Sequence, residues 1–166
     1  MARFARGNKS GYLDKTGKVT VEAVYFTAQD FSEGLGLVFD GKQRRFLDKT
    51  GKTLIELPAG STAQSFQEGF AAVKIANEAG FIDKTGKMIL KAPFDLASSF
   101  SESLAPVRVG GKENGKWGCI DKTGKVIIPP QFPDKPDFKG GLAKIKTAEG
   151  VGYIDRTGNW VWKPSK

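Results

Sequence analysis

Gly80-Phe81-Ile82-Asp83-Lys84-Thr85-Gly86-Lys87 decides the fold, because the chain carries this block five times. The other copies occupy residues 11–18, 45–52, 118–125 and 152–159. Their aspartates, Asp14, Asp48, Asp83, Asp121 and Asp155, are spaced 34, 35, 38 and 34 residues apart. A fixed period of this length is the mark of a repeat architecture, in which each unit buries its apolar faces against its neighbours.

Asp at the first position and Gly at the fourth fit a type I turn that closes with the glycine in the left-handed conformation of a G1 bulge. The Asp carboxylate can cap backbone amides within such a turn. The sequence therefore predicts hairpin turns at 14–17, 48–51, 83–86, 121–124 and 155–158. Gly17, Gly51, Gly86, Gly124 and Gly158 should have positive φ. Two apolar residues precede each turn, from Tyr12-Leu13 to Tyr153-Ile154. Short β-branched and aromatic runs follow it, such as Val126-Ile127-Ile128 and Trp160-Val161-Trp162. Both flanks read as strands.

A second motif interleaves with the first: Phe31-Ser32-Glu33-Gly34-Leu35-Gly36, Phe66-Gln67-Glu68-Gly69-Phe70-Ala71, Phe100-Ser101-Glu102-Ser103-Leu104-Ala105 and Phe138-Lys139-Gly140-Gly141-Leu142-Ala143. After it, Ala71, Val73 and Ile75 alternate with Ala72 and Lys74, and Ala143 and Ile145 with Lys144 and Lys146. This period of two predicts a third, half-buried strand. Each repeat is then a hairpin, a loop, a third strand and a turn. The loops run over 22–30, 57–65, 91–99 and 129–137. The long spacing before Asp121 falls at Gly110-Gly111-Lys112-Glu113-Asn114-Gly115-Lys116, which reads as an elongated turn that leaves strand register intact.

In the first strand of every copy two adjacent positions are apolar. Neighbouring residues of a strand face opposite sides, so that strand should be covered on both faces. The chain begins within a third strand and ends after the fifth hairpin. The array either stays open, leaving Trp160 and Trp162 on an unprotected edge, or closes into a ring completed by the N-terminal strand.

Gly115-Lys116-Trp117-Gly118-Cys119-Ile120-Asp121-Lys122-Thr123-Gly124-Lys125-Val126-Ile127-Ile128-Pro129-Pro130-Gln131-Phe132, with Phe31-Ser32-Glu33-Gly34-Leu35-Gly36, resembles the unit of the bacterial WG repeat family. The likeness extends over almost the whole chain. The tryptophan is kept only at Trp117; Ser10, Arg44, Ala79 and Val151 hold the other copies of that position, and Arg45 replaces the glycine. The resemblance implies β-rich repeats without an assigned activity, and it supplies no catalytic residues.

Composition agrees with short strands and tight turns. The 166 residues include 21 Gly, 12 Phe, 3 Tyr, 3 Trp and only 2 Met. The absence of histidine excludes Ser-His-Asp and Cys-His catalysis and His-ligated metal. One cysteine, Cys119, excludes an internal disulfide and a thiolate cluster. No apolar run suffices for a transmembrane helix, and residues 1–6 contain no signal-peptide core. The compartment is left open between bacterial cytoplasm and envelope. The net charge of +8 permits a polyanionic partner.

The expected fold is all-β, five tandem repeats of three short antiparallel strands in a single domain over 1–166. The expected function is non-enzymatic binding of a protein or peptide, with no cofactor and no metal. Polyanion binding is the alternative, as is a toxin-neutralising or envelope-associated interaction; self-association through the terminal edges is a further possibility. Candidate interaction residues are Trp160 and Trp162, with Lys15, Lys49, Lys84 and Lys122 on the turn edge. The five turn aspartates are structural, as single carboxylates some 34 residues apart make no chelating loop. Cys119 is a core residue in the position of Tyr12, Phe46, Phe81 and Tyr153.

Overall fold

The computed structural model describes residues 1–91 and 93–164, and at Lys112 the backbone alone. Among them are five antiparallel sheets in chain order. The first holds β1 (Ala2–Arg6), β2 (Lys9–Leu13) and β3 (Val19–Tyr25). The second holds β4 (Thr27–Ala28), β5 (Gly36–Phe39), β6 (Arg44–Leu47) and β7 (Thr53–Glu56). The third holds β8 (Thr62–Ala63), β9 (Ala71–Ile75), β10 (Glu78–Ile82) and β11 (Met88–Lys91). The fourth holds β12 (Leu96–Ala97), β13 (Ala105–Val109), β14 (Lys116–Ile120) and β15 (Val126–Phe132). The fifth holds β16 (Phe138–Lys139), β17 (Leu142–Thr147), β18 (Gly150–Asp155) and β19 (Trp160–Trp162). The fold is all-β, as the repeat requires.

The aspartate turns take the expected geometry. Gly17, Gly51, Gly86, Gly124 and Gly158 have φ of 84–89°. Each donates its N–H to the Asp carbonyl at 2.9–3.1 Å. In the four sheets whose hairpin register is described, the ladder shifts between the two apolar residues preceding the turn, for example between Phe46 and Leu47. The G1 bulge itself is formed by Gly51 and Lys52 opposite Asp48, and this shift is a second bulge that leaves Leu54 unpaired between Thr53 and Ile55.

Three features differ from the sequence reading. Each predicted loop and Phe motif contributes an additional short strand, so four of the sheets have four strands. Ala28 pairs with Val38, Ala63 with Val73, Ala97 with Val107 and Phe138 with Ala143. The cause is a tight turn inside the Phe motif. Both central residues have positive φ: 51° and 88° at Glu33-Gly34, 53° and 92° at Glu68-Gly69, 51° and 65° at Glu102-Ser103, 62° and 82° at Gly140-Gly141. Positive φ at both positions is the requirement of a type I′ turn, which folds the chain back on itself. Second, β3 and β15 run on to Tyr25 and Phe132, into residues predicted as loop. Pro129-Pro130 is tolerated there because β15 is an edge strand. The loop predicted over 91–99 includes Ala92, which lies outside the described residues. Third, the segment read as an elongated turn contains one helical turn, α1 (Gly111–Asn114). The β13–β14 register is unbroken beside it, from Ala105–Ile120 to Val109–Lys116.

The chain divides into two compact units, Met1–Ala76 with Phe81–Ile89, and Asn77–Gly80 with Leu90–Lys166. In the first, Leu35, Leu37, Phe46, Ile55 and Leu57 pack on Phe66, Ala71, Val73 and Ile82. A second cluster joins Tyr12 and Val21 to Ala28, Val38 and Leu47. In the second unit, Leu104, Cys119, Ile128 and Phe132 pack on Phe138, Ala143, Ile145 and Ile154. Within each unit, then, consecutive sheets bury their faces against one another, the reason a single repeat does not suffice. The double burial expected of the first strand occurs at Phe46-Leu47, Phe81-Ile82 and Cys119-Ile120. It is partial at Tyr12-Leu13, where Leu13 is half-buried, and fails at Tyr153, which is 38% exposed.

Half-burial of the third strand is confined to β17. In β9 and β13 the first three residues are buried on both faces. Small or ring-closed residues, Ala72 and Pro106, occupy the outward positions there and let the surface be covered. In β17 Lys144 holds that position and is exposed.

Candidate interaction surface

The turn edge is built locally. In each copy one Asp oxygen accepts hydrogen bonds from the Thr N–H at 2.8–2.9 Å, the Thr hydroxyl at 2.6 Å and the N–H four residues on at 3.0–3.2 Å. The Thr hydroxyl bond is the main reason that Asp14, Asp48, Asp83, Asp121 and Asp155 are held below the usual carboxylate range. Asp40 is also lowered, to about 2, by the N–H groups of Gln43 and Lys42. These shifts run opposite to the raised pKa of a general acid. No group of three or more Asp, Glu, Cys or His among the described residues is arranged to hold a metal ion.

The candidate cations of this edge differ in their surroundings. Lys15, Lys49 and Lys122 are exposed. Lys84 is also exposed, but its Nζ lies 3.1 Å from the Glu33 carboxylate and donates to the Glu33 carbonyl at 3.2 Å. Arg156 donates in the same way to the Glu102 carbonyl. These contacts belong to a staple within each unit. The Ser32 hydroxyl donates to the Phe66 carbonyl at 2.5 Å, and the Gly69 N–H donates to the Glu33 carboxylate at 3.1 Å. In the second unit Ser101 donates to the Phe138 carbonyl, and Gly140 and Gly141 donate to the Glu102 carboxylate. The Ser-Glu pair of one Phe motif thus ties the turn of the next.

Cys119 is buried, and burial pushes its thiol up to about 12, so it is an unreactive core group. The two candidate tryptophans separate. The register shift between Tyr153 and Ile154 sets Trp160 opposite Ile154 and Trp162 opposite Tyr153. Trp160 is half-buried, edge-on to Phe132 at 5.7 Å. Trp162 is 54% exposed and tilted by 46° against Tyr153, with centroids 6.2 Å apart.

Around Trp162 lies a face that the sequence reading did not assemble. Leu142, Lys144 and Lys146 project from one side of β17, while Ala143 and Ile145 are buried on the other. Lys144 pairs with Tyr153 across the ladder, and Tyr153 pairs with Trp162. A groove of about 480 Å³ beside Tyr153 and Leu142 is lined by Lys135, Lys139, Lys144 and Asp137. The signal was present in the sequence as two departures from the repeat. Lys139-Gly140 stands where Ser32-Glu33 and Ser101-Glu102 form staples, and Lys144 stands where Leu37, Ala72 and Pro106 are buried.

The sequence matches the WG containing repeat over residues 11–42, 80–112 and 117–149, more than half of the chain. No curated protein matches it. Among solved structures, a protein of unknown function from Bacteroides caccae is 13% identical, with a TM-score of 0.47 over 99% of this chain and 77% of that one. The eukaryotic initiation factor is 12% identical, with a TM-score of 0.53 over 98% of this chain. This chain spans about half, 48%, of the initiation-factor chain, and that likeness concerns the fold alone.

Proposed function

The chain belongs to the WG containing repeat family, and on that premise we propose that it is a non-enzymatic binding protein that engages a protein or peptide partner through the outward face of its fifth sheet. One observation carries this reading. Tyr153 is 38% exposed, whereas Tyr12, Phe46, Phe81 and Cys119 at the same place in the repeat are fully buried. Leu142 and Trp162 are exposed beside it. An aromatic and aliphatic cluster open to water, rimmed by polar groups, is the usual composition of an interaction site.

The polyanion alternative on the turn edge is weakened by the staples, since Lys84 and Arg156 are already engaged with Glu33 and Glu102. It predicts salt-dependent retention on heparin, with elution only as the salt is raised, lost on replacing Lys15, Lys49 and Lys122.

The test is capture of a partner on immobilised protein, followed by binding of the purified pair. Tyr153→Ala with Trp162→Ala should weaken that binding at least tenfold while the far-ultraviolet dichroism of the protein is kept. Unchanged binding by the double variant would remove the fifth-sheet face from the function.

A further inference from the structure

The outward face of the fifth sheet repeats, residue for residue, a face with which the first sheet holds a segment of its own chain. Resting on the binding reading above, we propose that it receives a phenylalanine-bearing segment of a partner protein. The ring sits edge-on against Tyr153, and two backbone carbonyls just before it accept hydrogen bonds from Tyr153 and Lys144.

In the first sheet Arg3 pairs with Tyr12 across the ladder, and Tyr12 with Val21. The Phe31 ring lies edge-on to Tyr12 at 4.7 Å, the Tyr12 hydroxyl donates to the Gln29 carbonyl at 2.6 Å, and Arg3 donates to the Ala28 carbonyl at 2.8 Å. The fifth sheet carries Lys144, Tyr153 and Trp162 at the same three places of the ladder. Leu37 with Phe46, Ala72 with Phe81 and Pro106 with Cys119 hold the first two places in the other copies, so only the first and fifth combine a cation with a tyrosine hydroxyl. The seat for the ring is used in those copies too. Phe66 is edge-on to Phe46 at 4.9 Å, and Phe138 packs against Cys119. On the fifth sheet Leu142, Lys144 and Tyr153 instead line the open groove of about 480 Å³. Lys139, which also lines it, stands where Ser32 donates to the Phe66 carbonyl and Ser101 to the Phe138 carbonyl, and so offers a third donor. An edge-to-face ring contact joined to hydrogen bonds on the adjoining backbone is thus the interface this fold already uses, with one half left open.

Charge does not select the occupant. Asp134 and Asp137 line the same groove, and the Glu102 carboxylate is held next to Lys139 by the Gly140 and Gly141 N–H groups. The lysines therefore act as donors to carbonyls, as Arg3 does, and the neighbouring acids disfavour the phosphates of a nucleic acid. A second copy of the chain has no free Phe motif to offer, since Phe66, Phe100 and Phe138 are buried and Phe31 is seated on Tyr12.

The experiment is an NMR titration of the full chain with a blocked peptide, Thr-Ala-Gln-Asp-Phe-Ser-Glu-Gly-Leu, the sequence of residues 27–35. Two counterparts are titrated in parallel, one with Ala for Phe and one made neutral with Asn for Asp and Gln for Glu. An oligouridine is titrated as well, and the protein is diluted alone. The peptide should move the resonances of Lys144, Tyr153 and the Trp162 indole. The neutral counterpart should bind nearly as well, and the Ala counterpart more weakly by about tenfold or more. Tyr153→Phe keeps the ring and should weaken binding about fivefold through the lost hydroxyl donor. Phe46 and Phe81 hold that place in two other repeats, so the variant folds. Lys144→Met, at an exposed position, should weaken binding by a similar factor. Equal binding of the Ala counterpart, loss of binding by the neutral one, oligouridine on the same resonances, shifts of those resonances on dilution, or no shift at millimolar peptide would each overturn the proposal. So would a captured protein partner that binds Tyr153→Phe and Lys144→Met as it binds wild type; if it still lost affinity for Tyr153→Ala with Trp162→Ala, the broader binding reading would stand.

Discussion

Phe46 in the second sheet is fully buried, edge-on to Phe66 at 4.9 Å, and Leu37 beside it is 3% exposed. Tyr153 and Lys144 stand at the same two places in the fifth sheet and meet water. The hairpin, the bulge and the aspartate turn are alike in both. What differs is whether a following sheet's face lies on top. The repeat sequence therefore encodes the plan of each sheet, while the covering of its outward face decides whether a position serves stability or remains available for binding.

Charge placement should break the comparison most visibly. Leu37→Lys would bury an unpaired ammonium and should destabilise by roughly 4 kcal/mol or more. Lys144→Leu should stay within about 0.5 kcal/mol of wild type. Urea unfolding of the two variants measures both. Next in size is the matched aromatic pair. Phe46→Ala should destabilise by about 3–5 kcal/mol, and Tyr153→Ala by about 1 kcal/mol. Similar losses for the pair would mean that the fifth sheet is covered in solution.

The aspartate turns should respond alike in the two sheets, since their hydrogen bonds are internal. Gly51→Val and Gly158→Val each place a branched side chain at φ near 88°. Their added Cβ atoms would also meet Val21 at 3.0 Å and Ile128 at 2.9 Å. Each should lower stability by roughly 1–3 kcal/mol. The staple is smaller, and of the two sheets compared only the second supplies the Ser-Glu pair that forms it. Ser32→Ala should remove about 1 kcal/mol by leaving the Phe66 carbonyl without its donor, whereas Lys139→Ala should be neutral in thermal melts.

Acid adds a finer test. Folding lowers the pKa of Asp48 and Asp155, chiefly through the Thr50 and Thr157 hydroxyls. Their contribution is therefore fully present above the ordinary carboxylate pKa and is lost as pH falls through the lowered folded values. Thr50→Val should raise the Asp48 midpoint followed by carboxyl-carbon NMR, and Thr157→Val that of Asp155 by a similar amount. Smallest of all is Lys49→Ala, which should leave the melting temperature unchanged because the side chain is exposed.

The legibility of these features in the sequence follows the range of their interactions. The Asp-Lys-Thr-Gly hairpin was readable because its donors and acceptors lie within four residues. Its glycines, bulge and strand flanks all appear where the spacing requires. The Phe-Ser-Glu-Gly turn was read only as a motif before a strand. Its Glu33 adopts positive φ and bonds Gly69, 36 residues away, and no local rule signals either fact. The additional short strands went unread for the same reason, since two-residue segments such as Thr27-Ala28 acquire strand character only from their partner. In the candidate site, Trp162 was readable as an aromatic on the last hairpin. Lys144 was legible as a charge at a position that holds Leu37, Ala72 and Pro106 in the other copies, whereas Tyr153 was not, because it is an ordinary residue of its repeat position and differs only in the surface left above it.

Hydroxyl-radical footprinting read by mass spectrometry tests that difference most directly, because it reports all five copies of the aromatic position in one unmodified chain. After correction for intrinsic reactivity, Tyr153 and Trp162 should be oxidised readily, with Tyr12, Phe46, Phe81 and Cys119 protected. Protection of Tyr153 equal to that of Phe46 and Phe81 would contradict the account, since no open face would then distinguish the fifth sheet from the rest.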